Sequence, residues 1–431
     1  MIREPLTDPS NSLQRLSAER GGSFAIFTAC SANYLTKAMA MCLSALDHEP
    51  QATPVILLVD SKRDVQLRDP RVRIVWAEDL DFPDYLKCAF KYNIIELNTA
   101  LKPFTALRLL EIFDRVIYLD PDVCVYAPLA SVHEALETHS TVLTPHALSP
   151  YPGEGRPNDQ DLLRFGACNL GFFAVRADDS ARALLRWWDE QCRTNCFYEP
   201  QLGLGVDQKW LDLAPSFFDG VGLLRDPGLN VAFWNLHERQ LTQEDDRWIV
   251  NGHAPLRFIH FSSFVEGDHD AVAGKQTRYL SGSRPDFANA AQTYRTYLSA
   301  SKDSAVLAHQ DYAYAHFGNG ATISAALRRF YAISRHPDVS TVQDPFTSDV
   351  VYRFAQVNRL LTPGRAVVGP HTFKAQSGYS RQQVAIGFVF RSVLRILGPD
   401  RYFLLLRYLS NYTSILNQTD IGQIFDSRFR A

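Results

Sequence analysis

No stretch of about 18 apolar residues runs without a charge, so a membrane-crossing helix is not expected. The opening segment MIREPLTDPSNSLQRL has no apolar centre, which argues against a secretory signal. Low-complexity tracts are missing and aromatic residues reach 12%, which excludes a disordered chain. Cysteine is sparse and odd in number: Cys30, Cys42, Cys88, Cys124, Cys168, Cys192 and Cys196, with none later and no CxxC pair. That pattern is neither a secreted disulfide framework nor a zinc or thioredoxin motif, and a reducing cytoplasm is the expected compartment. Glutamate is missing from Ser281 to the C-terminus, where 17 Lys and Arg face 9 Asp, a balance of +8, while the first 280 residues carry −11. So abrupt a change marks a domain boundary near residue 280 and hints that the C-terminal part meets something anionic, although helical domains also tolerate arginine freely. No nucleic-acid partner is expected.

What is present is a soluble-type composition, 46% hydrophobic and 21% charged over 431 residues, which suits two domains. Ser23–Thr28, Pro54–Asp60, Val72–Trp76 and Arg115–Leu119 read as strands, and further strand-like runs occur at Gly171–Val175 and Leu256–Phe261. Helical spacing covers Tyr34–Leu46, Pro103–Phe113 and Asp179–Cys192, the last with Asp178 or Asp179 as its cap. Strands that are continuous apolar runs and alternate with helices predict an α/β domain with a mostly parallel sheet, covered by helices on both faces. After residue 280 helical segments dominate, at Ala288–Ser299, Ile323–Ser334, Val384–Leu397 and Arg401–Leu416. The expected division is an N-terminal tail over 1–22, a catalytic domain over 23–280 and a helical domain over 281–431.

Ligands of open α/β sheets bind outside the carboxyl ends of the strands, which directs attention to Thr28-Ala29-Cys30, Asp60, Asp120-Pro121-Asp122 and His260. The segment RVIYLDPDVCVY puts two carboxylates one residue apart at the end of a buried strand, on a turn stiffened by Pro121. Such a pair can hold a divalent cation that neutralises a diphosphate. Three other pairs of the same spacing occur, Asp79/Asp81, Asp159/Asp161 and Asp268/Asp270, but only Asp120/Asp122 follows an apolar strand directly. The others are read as solvated loop carboxylates.

Several segments, in order, then resemble a GT-A glycosyltransferase of the glycogenin-like and lipopolysaccharide-hexosyltransferase group, family 8, whose members retain configuration. TACSANYLTKAMAMCLSAL is similar to that group's first nucleotide-binding unit, and LKPFTALRLLEIFDRVIYLDPDVCVY to its lysine-bearing helix and metal motif. Cys168-Asn169-Leu170-Gly171-Phe172 resembles its Asn-x-Gly strand, and Val206-Asp207-Gln208-Lys209-Trp210-Leu211 its Asp-Gln motif. Leu229–Asn235 resembles the later asparagine loop, and Phe258–Phe261 the final histidine motif. Together they span about residues 23 to 265.

The resemblance implies a GT-A, Rossmann-like fold and a role for each matching residue. Thr28, Ala29 and Tyr34 would meet the nucleotide, Tyr34 stacking on uracil. Lys102 would touch donor phosphate or sugar, and Asn169, Asp207 and Gln208 would surround the sugar and its anomeric carbon. Asp120, Asp122 and His260 would hold manganese or magnesium, the imidazole favouring manganese. The substrates implied are a UDP-hexose or similar nucleotide-diphosphate sugar and a bacterial surface glycan or lipid-linked acceptor. Asp207 is open to a second role, as general base of an inverting displacement. The group's lysine after the histidine motif is missing, since FSSFVEGDHD follows His260; Lys275, Arg278 or His269 are the candidate substitutes.

Beyond the matched core, Tyr312, Tyr314 and Phe317 precede a glycine-rich turn and the basic pair Arg328-Arg329, a segment that resembles extensions of bacterial glycan-assembly transferases and reads physically as packing. The helices around Arg391, Arg395, Arg401 and Arg407 are expected either at a membrane surface, as peripheral contacts on its inner face, or as core or dimer helices. Two other functions compete with the transferase. A haloacid-dehalogenase-type phosphohydrolase would want Thr or Val where Cys124 stands and an earlier acidic pair, whereas 119 residues precede Asp120. A catalytically silent glycan-binding protein of the same fold is the other.

Overall fold

The apolar run Phe24–Cys30 has no polar side to offer water, so it forms a strand (β1) with all seven residues buried. The structure, a computed structural model, describes residues 11–19, 22–63, 65, 67, 69–302, 312–362 and 379–430. β1 is flanked on one side by β2 (Ala52–Leu58) and then β3 (Arg73–Trp76), and on the other by β4 (Arg115–Leu119), all parallel. From β4 the chain passes through Asp120–Asp122 into a short strand outside this sheet, β5 (Val123–Val125). β6 (Thr141–Pro145), β7 (Cys168–Arg176) and Val221–Leu223 complete a seven-stranded sheet in the order Val221–Leu223, β6, β7, β4, β1, β2, β3.

β7 runs against its neighbours, antiparallel to both β4 and β6, while Val221–Leu223 is parallel to β6. That reversal positions the site. The first residues of β7 lie at the same sheet edge as the last residues of β4; Phe172 pairs with Leu119, and the Asp120 amide donates to the Gly171 carbonyl at 2.9 Å. β5 pairs antiparallel with Phe258–His260, setting His260 opposite Val123.

Helix Leu35–His48 is rich in Ala, Leu and Met and buries Leu35, Ala38, Met39, Cys42, Ala45 and Leu46 at spacings of three and four, closing the core over β1 and β2. Helix Asp179–Asn195 is capped by Asp178, whose carboxylate accepts from the Ala181 amide at 2.9 Å, and packs against helix Lys102–Leu109. The expected α/β sheet with flanking helices, followed by a helical C-terminal region, is the architecture observed.

The division of the chain differs from the expected break at 280. One compact unit takes the described residues up to Pro83 and Glu96–Tyr312; the other takes Asp84–Ile95 and those after Ala313. Helix Pro285–Ser301 stays with the first unit because Phe287, Ala290, Ala291 and Tyr294 are buried there, Tyr294 stacked nearly parallel on Phe261 at 4.4 Å. Residues 12–18, expected within a tail, form a short helix that buries Leu13 and Leu16, and Asp79 accepts from the Ser12 amide at 2.8 Å.

Within the second unit, Phe90 is ringed by Phe317, Tyr331 and Phe346 at 4.7 to 5.5 Å. The aromatic cluster read from sequence as packing is thus packed. Arg328 is buried, and its guanidinium donates to the carbonyls of Ala89, Phe90, Tyr92 and Tyr314. The two helices expected over Val384–Leu397 and Arg401–Leu416 are both present within Tyr379–Ser410, the second ending at Ser410; they are separated at Gly398, whose φ of 73° and ψ of 168° are not helical, and Pro399 directly after it cannot donate to the ladder. Truncating Arg328 strands several buried carbonyls, so Arg328→Ala is expected to destabilise this unit by about 3 kcal/mol or more. Hydrogen exchange of the amides in 325–357, compared with those of β1, measures it.

Candidate functional site

Tyr118, Asp120 and Asp122 alternate along the end of β4 and its turn. The Tyr118 hydroxyl donates to Asp120 Oδ1, and the Phe261 amide donates to the Asp122 carbonyl at 2.8 Å, which delivers His260 to the acidic pair. His260 Nε2 lies 3.1 Å from Asp122 Oδ1 and 3.6 Å from Asp120 Oδ2. One ligand atom from each of Asp120, Asp122 and His260 falls within 4.8 Å of the others. Two hard carboxylates and one imidazole form a donor set that fits a divalent cation.

The far nitrogen of the imidazole completes the fit. His260 Nδ1 is 3.1 Å from Asn169 Oδ1, which also accepts from the Gly171 amide and from Asn230 Nδ2, each at 3.1 Å. An amide oxygen only accepts, so the hydrogen-bond network assigns the proton to Nδ1 and leaves the Nε2 lone pair facing the carboxylates when the ring is neutral. Burial disfavours charge on His260, but Asp122 and Asp120 outweigh it and hold its pKa above the ordinary value. Burial likewise pushes Asp122 up, and His260 together with Lys37 overrides it, leaving the carboxyl below the usual range.

Lys102 opens the helix Lys102–Leu109 and points inward, its side chain 4% exposed. Its Nζ is 3.2 Å from Asp120 Oδ1, 3.1 Å from Asp207 Oδ2 and 3.0 Å from the Leu170 carbonyl, and sits 4.4 Å over the Tyr118 ring. Burial alone would lower the pKa of this ammonium; the two carboxylates reverse that and raise it. Asp207 is pushed up to about 6 by burial against the pull of Lys102, and Trp188 Nε1 donates to its carbonyl at 2.9 Å. Gln208 is engaged at both ends: Oε1 accepts from the Leu170 amide at 3.0 Å and Nε2 donates to the Phe165 carbonyl at 2.8 Å. The Asp207 side chain is 2% exposed and touches Lys102, and Gln208 braces the start of β7.

The structure brings Lys102, Asp120, Asp122, Asn169, Asp207, Gln208 and His260 together. Tyr34 is half exposed at the entrance to helix Leu35–His48, near enough to Asp122 and Asp120 for their charges to raise its pKa, after the larger effect of burial. Lys37 Nζ lies 4.9 Å from its ring centre. Thr28 and Ala29 are buried in β1, and the Thr28 hydroxyl has no hydrogen-bond partner. Lys275 is exposed on a turn, and His269 is exposed as well. Arg278 is committed elsewhere, donating to the carbonyls of Pro152 and Pro157. Of the remaining acidic pairs, Asp81, Asp159 and Asp270 are exposed, while Asp79 pairs with Lys62 at 2.9 Å and Asp161 completes the cap of helix Asp159–Phe165.

Sequence reasoning missed Tyr118, His146 and the buried role of Asn230. Tyr118 was recoverable, because residues two apart share a strand face. Asn230 has φ 52°, a conformation asparagine tolerates, and its amide also donates to Thr144 Oγ1 at 2.8 Å. His146 Nε2 meets Asn169 Nδ2 at 3.2 Å, and burial pushes its pKa down to about 4, keeping it a neutral acceptor. No local pattern marks it; it arrives through the pairing of Pro145 with Cys168.

No family model matches the sequence. Two proteins of Bacillus subtilis strain 168, both described as uncharacterised, are similar over somewhat more than half of the chain. YfnF is 27% identical over 244 residues, 55% of this chain and 80% of its own, and YfnD is 26% identical over 251 residues, 56% and 78% respectively. Among solved structures, the galactosyltransferase LgtC in complex with donor and acceptor sugar analogues overlays with a TM-score of 0.38 at 16% identity, over 64% of this chain and 95% of its own. Likenesses that loose leave function to be read from the side chains of the cleft.

One backbone position controls the cluster. A Cβ on Gly171 would stand 2.2 Å from His260 Cε1 and 2.4 Å from Nδ1, so only glycine lets the ring lie against β7. Gly171→Ala is expected to displace His260, to cost about 1–3 kcal/mol of stability, and to abolish the thermal shift given by manganese. Differential scanning fluorimetry with and without the ion measures both.

Proposed function

We propose that this chain is a metal-dependent glycosyltransferase of GT-A type, moving a hexose from a nucleotide-diphosphate sugar, a UDP-sugar, to a growing bacterial surface glycan or its lipid-linked precursor. The observation that carries the proposal is the Asp120–Asp122–His260 cluster at the carboxyl edge of β4, joined to the buried Lys102. Open α/β sheets bind ligands at that edge. The family resemblance in the sequence supplies the substrate class.

Asp120, Asp122 and His260 would hold manganese, or magnesium, and the mixed oxygen and nitrogen donors favour manganese. When bound there, the cation neutralises charge developing on the leaving diphosphate. The protein's own residues prepare the site. Lys102 holds the Asp120 carboxylate in place, and Asp207 holds Lys102 from beneath. Asn169 fixes the tautomer and tilt of His260. Tyr34 offers an exposed ring face for the uracil, with the chain around Thr28 and Ala29 beside it. Lys275, on its exposed turn, is the cation proposed for the phosphates. Asp207 and Gln208 would shape the sugar subsite from its floor.

Assays of donor hydrolysis and transfer, with manganese and with chelator, test this. Asp122→Ala is expected to lower turnover at least about a hundredfold while the fold survives; near-normal activity at limiting manganese would show the site is misassigned. Tyr34→Ala is expected to weaken nucleoside-diphosphate binding by about 1–3 kcal/mol, the range for a base stacked on an aromatic ring. An unchanged dissociation constant would remove Tyr34 from the site. Donor binding without turnover in either condition would favour a glycan-binding protein instead.

A further inference from the structure

The side-chain amide of Asn169 has a direction, and the nitrogen offered beside the acidic pair depends on it. Its Oδ1 accepts from the Gly171 amide and from Asn230 Nδ2 and meets His260 Nδ1, each at 3.1 Å. Reversed, its NH2 would donate to His260 Nδ1 and drive the ring proton to Nε2. Nε2 lies 3.1 Å from Asp122 Oδ1, so it would close a hydrogen bond there and offer a cation no lone pair. Rotation of one amide thus separates a metal-binding imidazole from a blocked one.

A buried imidazole guards that direction from the other side. Asn169 Nδ2 lies 3.2 Å from His146 Nε2 and 3.3 Å from Gln208 Oε1, and the latter also serves the Leu170 amide. His146 is neutral, its pKa pushed down to about 4 by burial against the pull of the Ala167 and Gly166 carbonyls. Accepting at Nε2 places its proton on Nδ1, which is buried and makes no hydrogen bond of good geometry. A buried N–H left so poorly paired calls for a reason. The other tautomer would turn Nε2–H against the Asn169 NH2, donor to donor. The backbone holds the ring there: the His146 amide donates to the Ala167 carbonyl at 2.8 Å, and its carbonyl accepts from Asn235 Nδ2 at 3.0 Å. Trp234 stands edge-on to His146 and His260 alike, with ring centres 5.4 and 5.1 Å away.

We propose that His146 is a positioning residue: it fixes the Asn169 amide, keeps the His260 Nε2 lone pair turned to the carboxylates, and so sets which divalent ion the cluster prefers. With the imidazole in place the donors are mixed, and transition ions that take nitrogen are favoured; without it only oxygen remains, which suits magnesium as well. The inference rests on the metal reading of Asp120, Asp122 and His260, and adds a residue that reaches the ion only through Asn169 and His260. A histidine that merely filled space would, when replaced, weaken the fold and the binding of every ion alike.

Titration of the full chain with cobalt, followed by visible absorption, and with magnesium in competition tests this without turnover. The wild-type chain is expected to bind cobalt at least about tenfold more tightly than magnesium. His146→Phe keeps a ring against Trp234 but loses the acceptor; it is expected to lower cobalt affinity about tenfold and magnesium affinity less than about twofold. His146→Gln returns an acceptor and is expected to restore the cobalt preference. In an Asn169→Asp background, where either carboxylate oxygen serves His260, His146→Phe is expected to change cobalt affinity by less than about twofold. Unchanged cobalt affinity in His146→Phe, equal losses for both ions, a folded His146→Gln that restores nothing, or a full effect in the Asn169→Asp background would overturn the proposal. If His146→Phe does not fold, nitrogen-15 spectra of the histidine-labelled wild-type chain decide: a proton on His146 Nδ1 supports the proposal and a proton on Nε2 overturns it. A wild-type chain that binds neither ion would sink the metal site itself, and the proposal with it.

Discussion

A buried ammonium holds the cleft together. Lys102 is enclosed by Asp120, Asp207, the Leu170 carbonyl and the Tyr118 ring. Removing a charge from water costs several kcal/mol, and the arrangement persists because each charge faces an opposite one. Lys37 adds a further cation whose charge reaches Asp122. The mutual reach of the three ligand atoms and the Asn169 bond to Nδ1 both fit a divalent cation.

Topology makes that convergence possible. β4 delivers the acidic pair, the reversed β7 brings Asn169 and Gly171 to the same edge, and the pairing of β5 with Phe258–His260 folds the imidazole over them. None of these residues sits on a long free loop. The geometry is therefore set by strand register, and Gly171 is the point where register and side-chain packing meet.

Much of this was legible in the sequence where signals are local. Continuous apolar runs gave β1, β2 and β4, and the position of Asp120 and Asp122 directly after β4 singled them out from three similar pairs. Long-range order was harder. Helix Pro285–Ser301 looked like the start of the basic C-terminal part by charge, yet its buried face belongs to the first unit, because packing and net charge are independent properties. Asp207 carried the pattern of a reacting carboxylate, but only the fold reveals that Lys102 covers it. His146 had no pattern at all, since a partner acquired through sheet pairing leaves no spacing to read.

The central proposal is a nucleoside diphosphate held through a divalent ion on Asp120, Asp122 and His260. Isothermal titration calorimetry of UDP into the protein, once with manganese and once with chelator, tests it most directly. One site per chain is expected, with heat seen only when manganese is present. Equal affinity in chelator, or no binding in either condition by a protein whose melting shows it folded, would contradict it.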